Sequence, residues 1–400
     1  MSALSPSLLI LLGGLIAVGP LSIDMYLPAF PAMQADLGAP PGAMEYTLSA
    51  FFIGLALGQL AYGPLSDRFG RRPPLLGGFA LFALASLACA LASDAWSLVA
   101  WRFLAALGGS AGMVITRAVV RDRCNAREAA RAFSMLILVM GLAPILAPLL
   151  GSWMAGALGW RAIFVFLSGF GVFGWLAVWL ALPETHDIRH EPPLRLASVL
   201  ADYGGLLLNR AFLGYTLVGG LAFAGMFAYI AGSPFVLIHL QGMAPSTFGW
   251  VFGGNALGFV VFSQINARLL KTRPLTGILK LAVWIPALAG LGLGLAGLAG
   301  WLSQALVLSG FFLYVSSLGF IGPNAAAAAL ATHGQMAGKA SALMGSLQFG
   351  LATLAGGLVG YFHEGGARPL LLVMAGAGAG AWLAHRWVES AIGRHAGQPA

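Results

Sequence analysis

Long apolar runs are the feature of this sequence that most limits what it can fold into. Of its 400 residues, 59% are hydrophobic and only 8% are charged, a composition outside the range of soluble globular domains. A helix needs about 20 mostly apolar residues to cross the hydrocarbon core of a bilayer. Runs of this length recur along nearly the whole chain, so the sequence predicts an all-α membrane protein with no room for a separate soluble domain.

We predict twelve transmembrane helices from these runs, each bounded by proline, glycine or charged residues. Their approximate limits are 8–30, 42–64, 74–92, 95–116, 133–155, 160–182, 208–231, 246–268, 275–297, 301–323, 337–362 and 368–388. No basic segment precedes the first run, and the run is longer than the apolar core of a signal peptide. We therefore interpret it as a retained span.

The longest polar interruption lies near the middle of the chain and divides the spans into two sets of six. We interpret residues 183–207 as a cytoplasmic linker between an N-terminal six-helix bundle, residues 1–182, and a C-terminal one, residues 208–400. The last part of the linker, 194–208, is expected to form a helix along the membrane surface.

Basic residues set the predicted orientation. The formal net charge of +8 comes from residues in short loops, where they act as topology signals rather than as a nucleic-acid-binding surface. The loop between the second and third spans carries Arg68, Arg71 and Arg72, which places it in the cytoplasm together with both termini. The outer loops then hold few basic residues, chiefly Arg161 and Arg368.

The same loop contains a patterned charged run, Gly-Pro-Leu-Ser-Asp-Arg-Phe-Gly-Arg-Arg at 63–72. One interpretation is that its arginines serve only topology, but topology does not require the two glycines and the aspartate at these spacings. We predict that Arg71 pairs with Asp122, at the inner end of the fourth span, in a conformational lock. The predicted lock residues are Gly63, Asp67, Arg68, Gly70, Arg71, Arg72 and Asp122.

Asp24 is the acid inside the first span, and we predict that it couples transport to protons. A carboxylate there costs several kcal/mol unless it is paired, hydrated or protonated. The alternative is an interfacial residue exposed to the outer water. Arg102 lies early in the fourth span, and at about 1.5 Å per residue both side chains are roughly 10 Å below the outer face. This depth permits a direct or water-bridged pair; the alternative is an arginine that only holds helices together.

Two further sets of residues are candidates for function. The fifth span carries Gly141, Pro144, Pro148 and Gly151, where the prolines bend the helix and the glycines allow close packing, unless they are simply tolerated. Polar groups within spans are candidates to line a substrate cavity, or they form helix–helix hydrogen bonds instead. These residues are Tyr26, Tyr46, Gln59, Tyr229, Asn255 and Asn324.

Several of these motifs resemble those of a known family. The 63–72 run resembles the loop motif of the major facilitator superfamily, and Arg-Phe-Leu-x-Ala-x-Gly from Arg102 is similar to the fourth-span motif of its proton-coupled members. Residues 141–151 resemble the fifth-span antiporter motif. Residues 23–33 and 233–236 resemble the bicyclomycin- and chloramphenicol-resistance subfamily. The resemblance implies two pseudo-symmetric six-helix bundles and drug:proton antiport.

We therefore expect a monomeric, proton-coupled exporter of small-molecule drugs in the lipid of the bacterial inner membrane. The sequence has no phosphate-binding loop, and we expect no metal, nucleotide or other cofactor and no nucleic-acid partner. One alternative is a proton-coupled transporter of a specific endogenous metabolite. A receptor or an intramembrane enzyme is a third, although an enzyme needs more converging groups than Asp24 and Arg102. Some related exporters carry a second acid two turns before Asp24, where this chain has Ile16, which disfavours cationic drugs.

Overall fold

The structure is a computed structural model that describes residues 6–124, 126–185, 196–331, 337–362 and 365–396. Along the first part of the chain the helices are α1 (Pro6–Asp24), α2 (Phe30–Asp36), α3 (Ala43–Phe69), α4 (Arg72–Ala90), α5 (Ala95–Arg123), α6 (Ala126–Leu158) and α7 (Arg161–Ala181). A 3₁₀ turn, Leu27–Ala29, lies between α1 and α2.

The later helices are α8 (Leu196–Leu208), α9 (Arg210–Pro234), α10 (Pro245–Leu269), α11 (Leu275–Ala282), α12 (Trp284–Ala299), α13 (Gln304–Leu330), α14 (Ala337–Tyr361) and α15 (Arg368–Ala396). A π-helical turn, Phe235–Leu240, extends α9. The chain forms two compact units, Met1–Arg195 with Pro245–Trp250 and Leu196–Ala244 with Val251–Ala400.

The helices agree with the predicted twelve-span architecture. Among the described residues, ten segments are long and apolar enough to cross a membrane. The fifth predicted span corresponds to α6, whose apolar part is Leu142–Leu158, and the twelfth to the 29-residue α15. The helix expected at the end of the linker is present as α8.

Two of the predicted spans are interrupted, each just before a proline. The ninth breaks between α11 and α12, where Pro286 lacks the N–H that would reach the carbonyl of Ala282. The first breaks after Asp24, because Pro28 lacks the N–H that would reach the carbonyl of Asp24. Both segments, Pro6–Asp36 and Leu275–Ala299, are long and apolar enough to cross a membrane, so the predicted spans 8–30 and 275–297 stand, and the structure adds a break within each.

The predicted loop after the second span is also wrong in extent. Helix α3 continues through residues 65–69 to Phe69, and only Gly70 and Arg71 interrupt the helical path into α4. A helix satisfies its backbone hydrogen bonds in water as well as in lipid, so its charged end can leave the apolar region without unwinding.

Glycines bring the second and fourth helices of each half into close contact. In the first half, a Cβ at Gly54 on α3 would overlap the carbonyl oxygen of Phe103 on α5. In the second half, a Cβ at Gly258 on α10 would overlap the hydroxyl of Ser316 on α13. The two halves thus use the same device for packing, which fits a repeated architecture.

Candidate functional site

Asp24 is the last residue of α1 and lies at the break in the first span. Its side chain is buried, with 3% of the residue exposed. The span resumes through the 3₁₀ turn and α2, so the carboxylate lies within a membrane crossing rather than at its end. This placement favours a functional carboxylate over the exposed interfacial residue that the sequence left open.

Arg102, on α5, is also fully enclosed, with 1% exposed. Its Nη2 donates a hydrogen bond to the backbone oxygen of Ser22 over 2.8 Å. The guanidinium carbon lies 4.0 Å from the ring centroid of Phe51 and 4.3 Å from that of Tyr26. Aromatic faces attract a cation, and more strongly when water is excluded. The ring of Phe164 is the third, at 5.9 Å, so the arginine is held by one carbonyl and three rings.

Asp24 and Arg102 do not pair directly. Across the described residues, no hydrogen bond or ion pair joins the two side chains, and the arginine instead binds the carbonyl two positions before Asp24. Arg102 can bind the Ser22 carbonyl because Ser22 lies in the last turn of α1, where the carbonyls lack donors within the helix. Of the two options that equal depth allowed, the direct pair is wrong for this structure.

A second hydrogen bond ties the break to α3. The hydroxyls of Tyr26 and Thr47 lie 3.1 Å apart, and the Thr47 hydroxyl donates to the carbonyl of Met44 over 2.6 Å. Because the Thr47 proton is used in this way, the Tyr26 hydroxyl is the donor of the pair. The residues just after Asp24 are thus fixed to the first turn of α3.

The fifth predicted span packs against the same break. A Cβ on Gly151 of α6 would overlap the backbone of Met25, the residue after Asp24. The expected close contact at this glycine is therefore present. Pro144 and Pro148 lie inside α6, which remains one continuous helix. Gly141 lies outside the residues whose side-chain surroundings the structure describes.

The remaining cavity candidates mostly form contacts between helices. In the second unit, Asn255 Nδ2 donates to the Tyr229 hydroxyl over 2.7 Å, and Asn324 Nδ2 donates to Asn266 Oδ1 over 2.7 Å. These bonds join α10 to α9 and to α13. They match the alternative interpretation of these polar groups, helix–helix hydrogen bonding.

Tyr46 and Gln59 complete the predicted cavity set, and both lie on α3. The ring of Tyr46 stacks on that of Trp96, at the start of α5, with centroids 6.1 Å apart. Gln59 is buried. The described contacts give neither residue a substrate-binding role.

At the other end of the first unit, Arg71 is the centre of an ion-pair network. Its Nε and Nη2 donate to the two carboxylate oxygens of Asp122, over 2.7 and 3.2 Å. Its Nη1 donates to Asp67, four residues earlier near the end of α3, and to Ser66 Oγ. Burial alone lowers the pKa of the Arg71 guanidinium, but the hydrogen bonds that it donates to Asp122 and Asp67 outweigh this effect and raise the pKa above its usual value. The predicted Arg71–Asp122 pair is therefore present.

Glu184 and Thr185 belong to this network as well. The Glu184 carboxylate accepts hydrogen bonds from the backbone N–H groups of Arg71 and Arg72, over 2.8 and 3.1 Å, and so caps the start of α4. The Thr185 hydroxyl donates to Asp122 over 3.1 Å. Neither residue is predicted from the sequence, where they belong to the linker; the available signal was an acid directly after the sixth span.

The other predicted lock residues differ in how strongly the structure requires them. Gly70 has φ +85°, and a Cβ there would overlap the Glu184 carboxylate, so only glycine suits this position. Gly63 lies inside α3, and a Cβ there would meet nothing within 4 Å. Arg72 donates to the carbonyl of Trp179 at the end of α7, whereas Arg68 is exposed.

Many membrane-crossing helices, charged groups enclosed among them and an arginine–carboxylate network at the helix ends are typical of a secondary transporter. A family model of the Major Facilitator Superfamily matches residues 12–357, and the chain belongs to this superfamily.

Individual relatives agree with this assignment. The chain is 38% identical to an uncharacterized MFS-type transporter, YdgK, of Bacillus subtilis, with 92% of each chain covered. It is 32% identical to a bicyclomycin resistance protein homolog of Haemophilus influenzae, with 91% of each covered. It is 33% identical to a chloramphenicol resistance protein of Pseudomonas aeruginosa, covering 76% of this chain and 68% of the relative. The resemblance carried by the sequence motifs is thus confirmed.

Solved structures share the fold. A bacterial homolog of the human lysosomal transporter Spinster, in an inward-facing and occupied conformation, matches with a TM-score of 0.73 at 15% identity, with 96% of each chain covered. A D-xylose–proton symporter matches with a TM-score of 0.71 at 16% identity, again with 96% of each covered.

Proposed function

We propose that this chain is a proton-coupled exporter of small antibiotic-like drugs in the bacterial inner membrane. The observation that carries the proposal is the enclosed carboxylate of Asp24 at the break in the first span. The names of the relatives, which include bicyclomycin and chloramphenicol resistance, support drugs as the transported class. We further propose that it works as a monomer without a cofactor, with both termini in the cytoplasm.

Asp24 is proposed to carry the proton. An ionised carboxylate enclosed in a low-dielectric site is unfavourable by several kcal/mol, and protonation removes that cost. The protonated form therefore favours the closed arrangement in which Asp24 is buried. Exposure to water on the inner side lets the proton leave, and drug binding then favours the deprotonated form.

Arg102 is proposed to position the break rather than to neutralise the acid in this arrangement. Its hydrogen bond to the Ser22 carbonyl fixes the end of α1, and its contacts with Tyr26 and Phe51 hold the guanidinium between helices. A rearrangement at the break that frees the guanidinium from the carbonyl would bring its charge within reach of Asp24, which would favour proton loss.

The Arg71 network is proposed to act as the lock at the cytoplasmic side. It joins the ends of α3 and α5 to the start of α4, and Glu184 adds the segment after α7. Charge-assisted bonds of this kind are directional and strong, so they hold one arrangement of the helix ends. Opening this side requires some of them to be broken or exchanged.

The proton gradient supplies enough free energy to export a drug against its concentration gradient. One pH unit supplies about 1.4 kcal/mol per proton. A potential of 100 mV supplies about 2.3 kcal/mol per charge moved. Together they support drug gradients of several hundredfold.

Susceptibility testing of a host that lacks its own exporters tests the proposal. Expression of the chain should raise the inhibitory concentration of chloramphenicol or bicyclomycin, and Asp24→Asn should remove the increase. The alternative, transport of one endogenous metabolite, predicts no change for any drug in a broad panel, and that result would contradict drug export.

A further inference from the structure

Arg102 is an enclosed cation whose described contacts are to neutral groups. Its Nη2 donates to the carbonyl of Ser22, and the rings of Tyr26, Phe51 and Phe164 pack around the guanidinium. Across the residues that the structure describes, no carboxylate forms an ion pair with it. A buried charge is unfavourable without an opposite charge nearby, so this arginine is suited to a negatively charged partner from outside the chain.

Two hydrogen-bond donors at this place lack a partner. They are Nε of Arg102 and the hydroxyl of Ser22, and neither makes a hydrogen bond within the described part of the chain. Both residues are fully enclosed, with 1% and 0% exposed. Buried polar groups without partners are rare because they are unfavourable, so a pair of them indicates a site for a ligand.

The packing of α1 against α5 brings the two donors to the same contact. A Cβ on Gly109 of α5 would meet the side chain of Val18 on α1. Ser22 lies one turn after Val18 and therefore faces α5 as well, while Arg102 lies two turns before Gly109 on the same side of α5. The bond from Arg102 to the Ser22 carbonyl shows that the arginine side chain spans the remaining distance.

The chemistry of these groups selects the ligand. A guanidinium N–H can only donate, and a serine hydroxyl can donate as well, so the two together bind an acceptor. The charge of Arg102 favours a negative acceptor and repels metal cations. Because both side chains are enclosed, a drug-sized group does not fit between them. A small monovalent anion meets all of these conditions.

We propose that Arg102 Nε and Ser22 Oγ bind one chloride ion between α1 and α5. The ion compensates the arginine in the arrangement in which Asp24 makes no ion pair with it. Its role in the cycle rests on the proposed proton-coupled export: when the break rearranges, the deprotonated Asp24 carboxylate replaces the chloride as the partner of Arg102. Binding of the ion itself requires neither drug nor a proton gradient.

Thermal unfolding of the purified full-length protein in detergent tests the site. Sodium chloride is compared with sodium gluconate at equal ionic strength, since a ligand that binds only the folded state raises the unfolding midpoint. The midpoint should rise and saturate with chloride in the wild type, and Ser22→Ala should remove this rise. Ser110→Ala is the matched control on α5, because its hydroxyl already donates to the carbonyl of Leu107, and it should keep the rise. An equal rise in Ser22→Ala would show a general salt effect and would overturn the proposal.

Equilibrium binding of radioactive chloride gives a direct second readout. The wild type should bind one ion per molecule, and Ser22→Ala should weaken binding by about tenfold or more, as expected for the loss of a hydrogen bond to a charged group. Arg102→Lys keeps the positive charge but loses the Nε donor, and it should weaken binding too. The absence of bound chloride in the folded wild type, or wild-type affinity in both variants, would overturn the proposal. This result is independent of whether the protein exports drugs.

Discussion

Arg71 and Asp122 form a two-bonded ion pair that joins the start of α4 to the end of α5. The donor–acceptor distances are 2.7 and 3.2 Å, and the Arg71 side chain is 4% exposed. Removing the Asp122 carboxylate leaves Arg71 with only Asp67 as an anionic partner, and the loss of charge-assisted hydrogen bonds of this kind costs about 1.5–3 kcal/mol. Asp122→Asn should therefore impair drug export several-fold in a protein that still inserts into the membrane, as measured by export from loaded cells.

The reversed pair is the control for this prediction. Arg71→Asp combined with Asp122→Arg should recover part of the activity. Recovery should be incomplete, because the bonds from Arg71 to Asp67 and Ser66 are lost. Failure of the double variant to exceed Asp122→Asn, with normal insertion, would count against a direct pairing role.

The Glu184 cap predicts a graded loss of stability. Glu184→Ala removes the acceptor for the backbone N–H groups that open α4, and should lower stability by about 1 kcal/mol. Glu184→Gln keeps an acceptor oxygen and should lose less. Thermal unfolding of the detergent-purified variants measures the difference, and equal midpoints for the two substitutions would argue against the cap.

Two glycines on the same helix offer a matched test of the packing. Gly54→Ala places a methyl group against the backbone of α5, and overpacking of this kind costs about 1–3 kcal/mol. Gly63→Ala meets open space and should be neutral, or stabilising by up to about 1 kcal/mol from helix propensity. Thermal unfolding distinguishes them, and an equal loss at both positions would refute the predicted contact between α3 and α5.

Topology follows from the basic loops and is tested by labelling. A cysteine at Ala39, between α2 and α3, should react with an impermeant thiol reagent added outside the cell, and one at Ala126 should not. The native cysteines, Cys89 and Cys124, are buried and give a low background. Labelling with the opposite sidedness would overturn the proposed orientation.

The sequence predicts the span pattern and some contacts because these depend on local chemistry. Apolar length determines where helices cross, and the Arg71–Asp122 pair follows from charges at neighbouring helix ends. The close contact at Gly151 is predictable because glycine has no side chain to keep another segment of the chain away. Pro28 is also a sequence signal for the break after Asp24, because proline has no N–H to donate to the backbone carbonyl of Asp24.

Other features depend on how each helix is rotated about its own axis and on which segments pack against it. The spacing of residues in the sequence specifies neither. The equal depth of Asp24 and Arg102 fixes their positions along the membrane normal but not the directions in which their side chains point. In the structure the arginine binds the carbonyl of Ser22 instead of Asp24. The capping role of Glu184 likewise arises from the packing of other segments around it. This property is not contained in the local sequence.

The central claim is that Asp24 carries the coupled proton, and Asp24→Asn tests it because the amide mimics the permanently protonated state. Asp24→Glu keeps a titratable group and should retain some coupling. Asp36→Asn is the control on the same span, since its carboxylate is exposed and paired with Arg161. The measurement is drug-evoked proton movement in proteoliposomes with an imposed pH gradient. We predict none in Asp24→Asn and near-normal movement in Asp36→Asn; wild-type proton movement in Asp24→Asn would contradict the account.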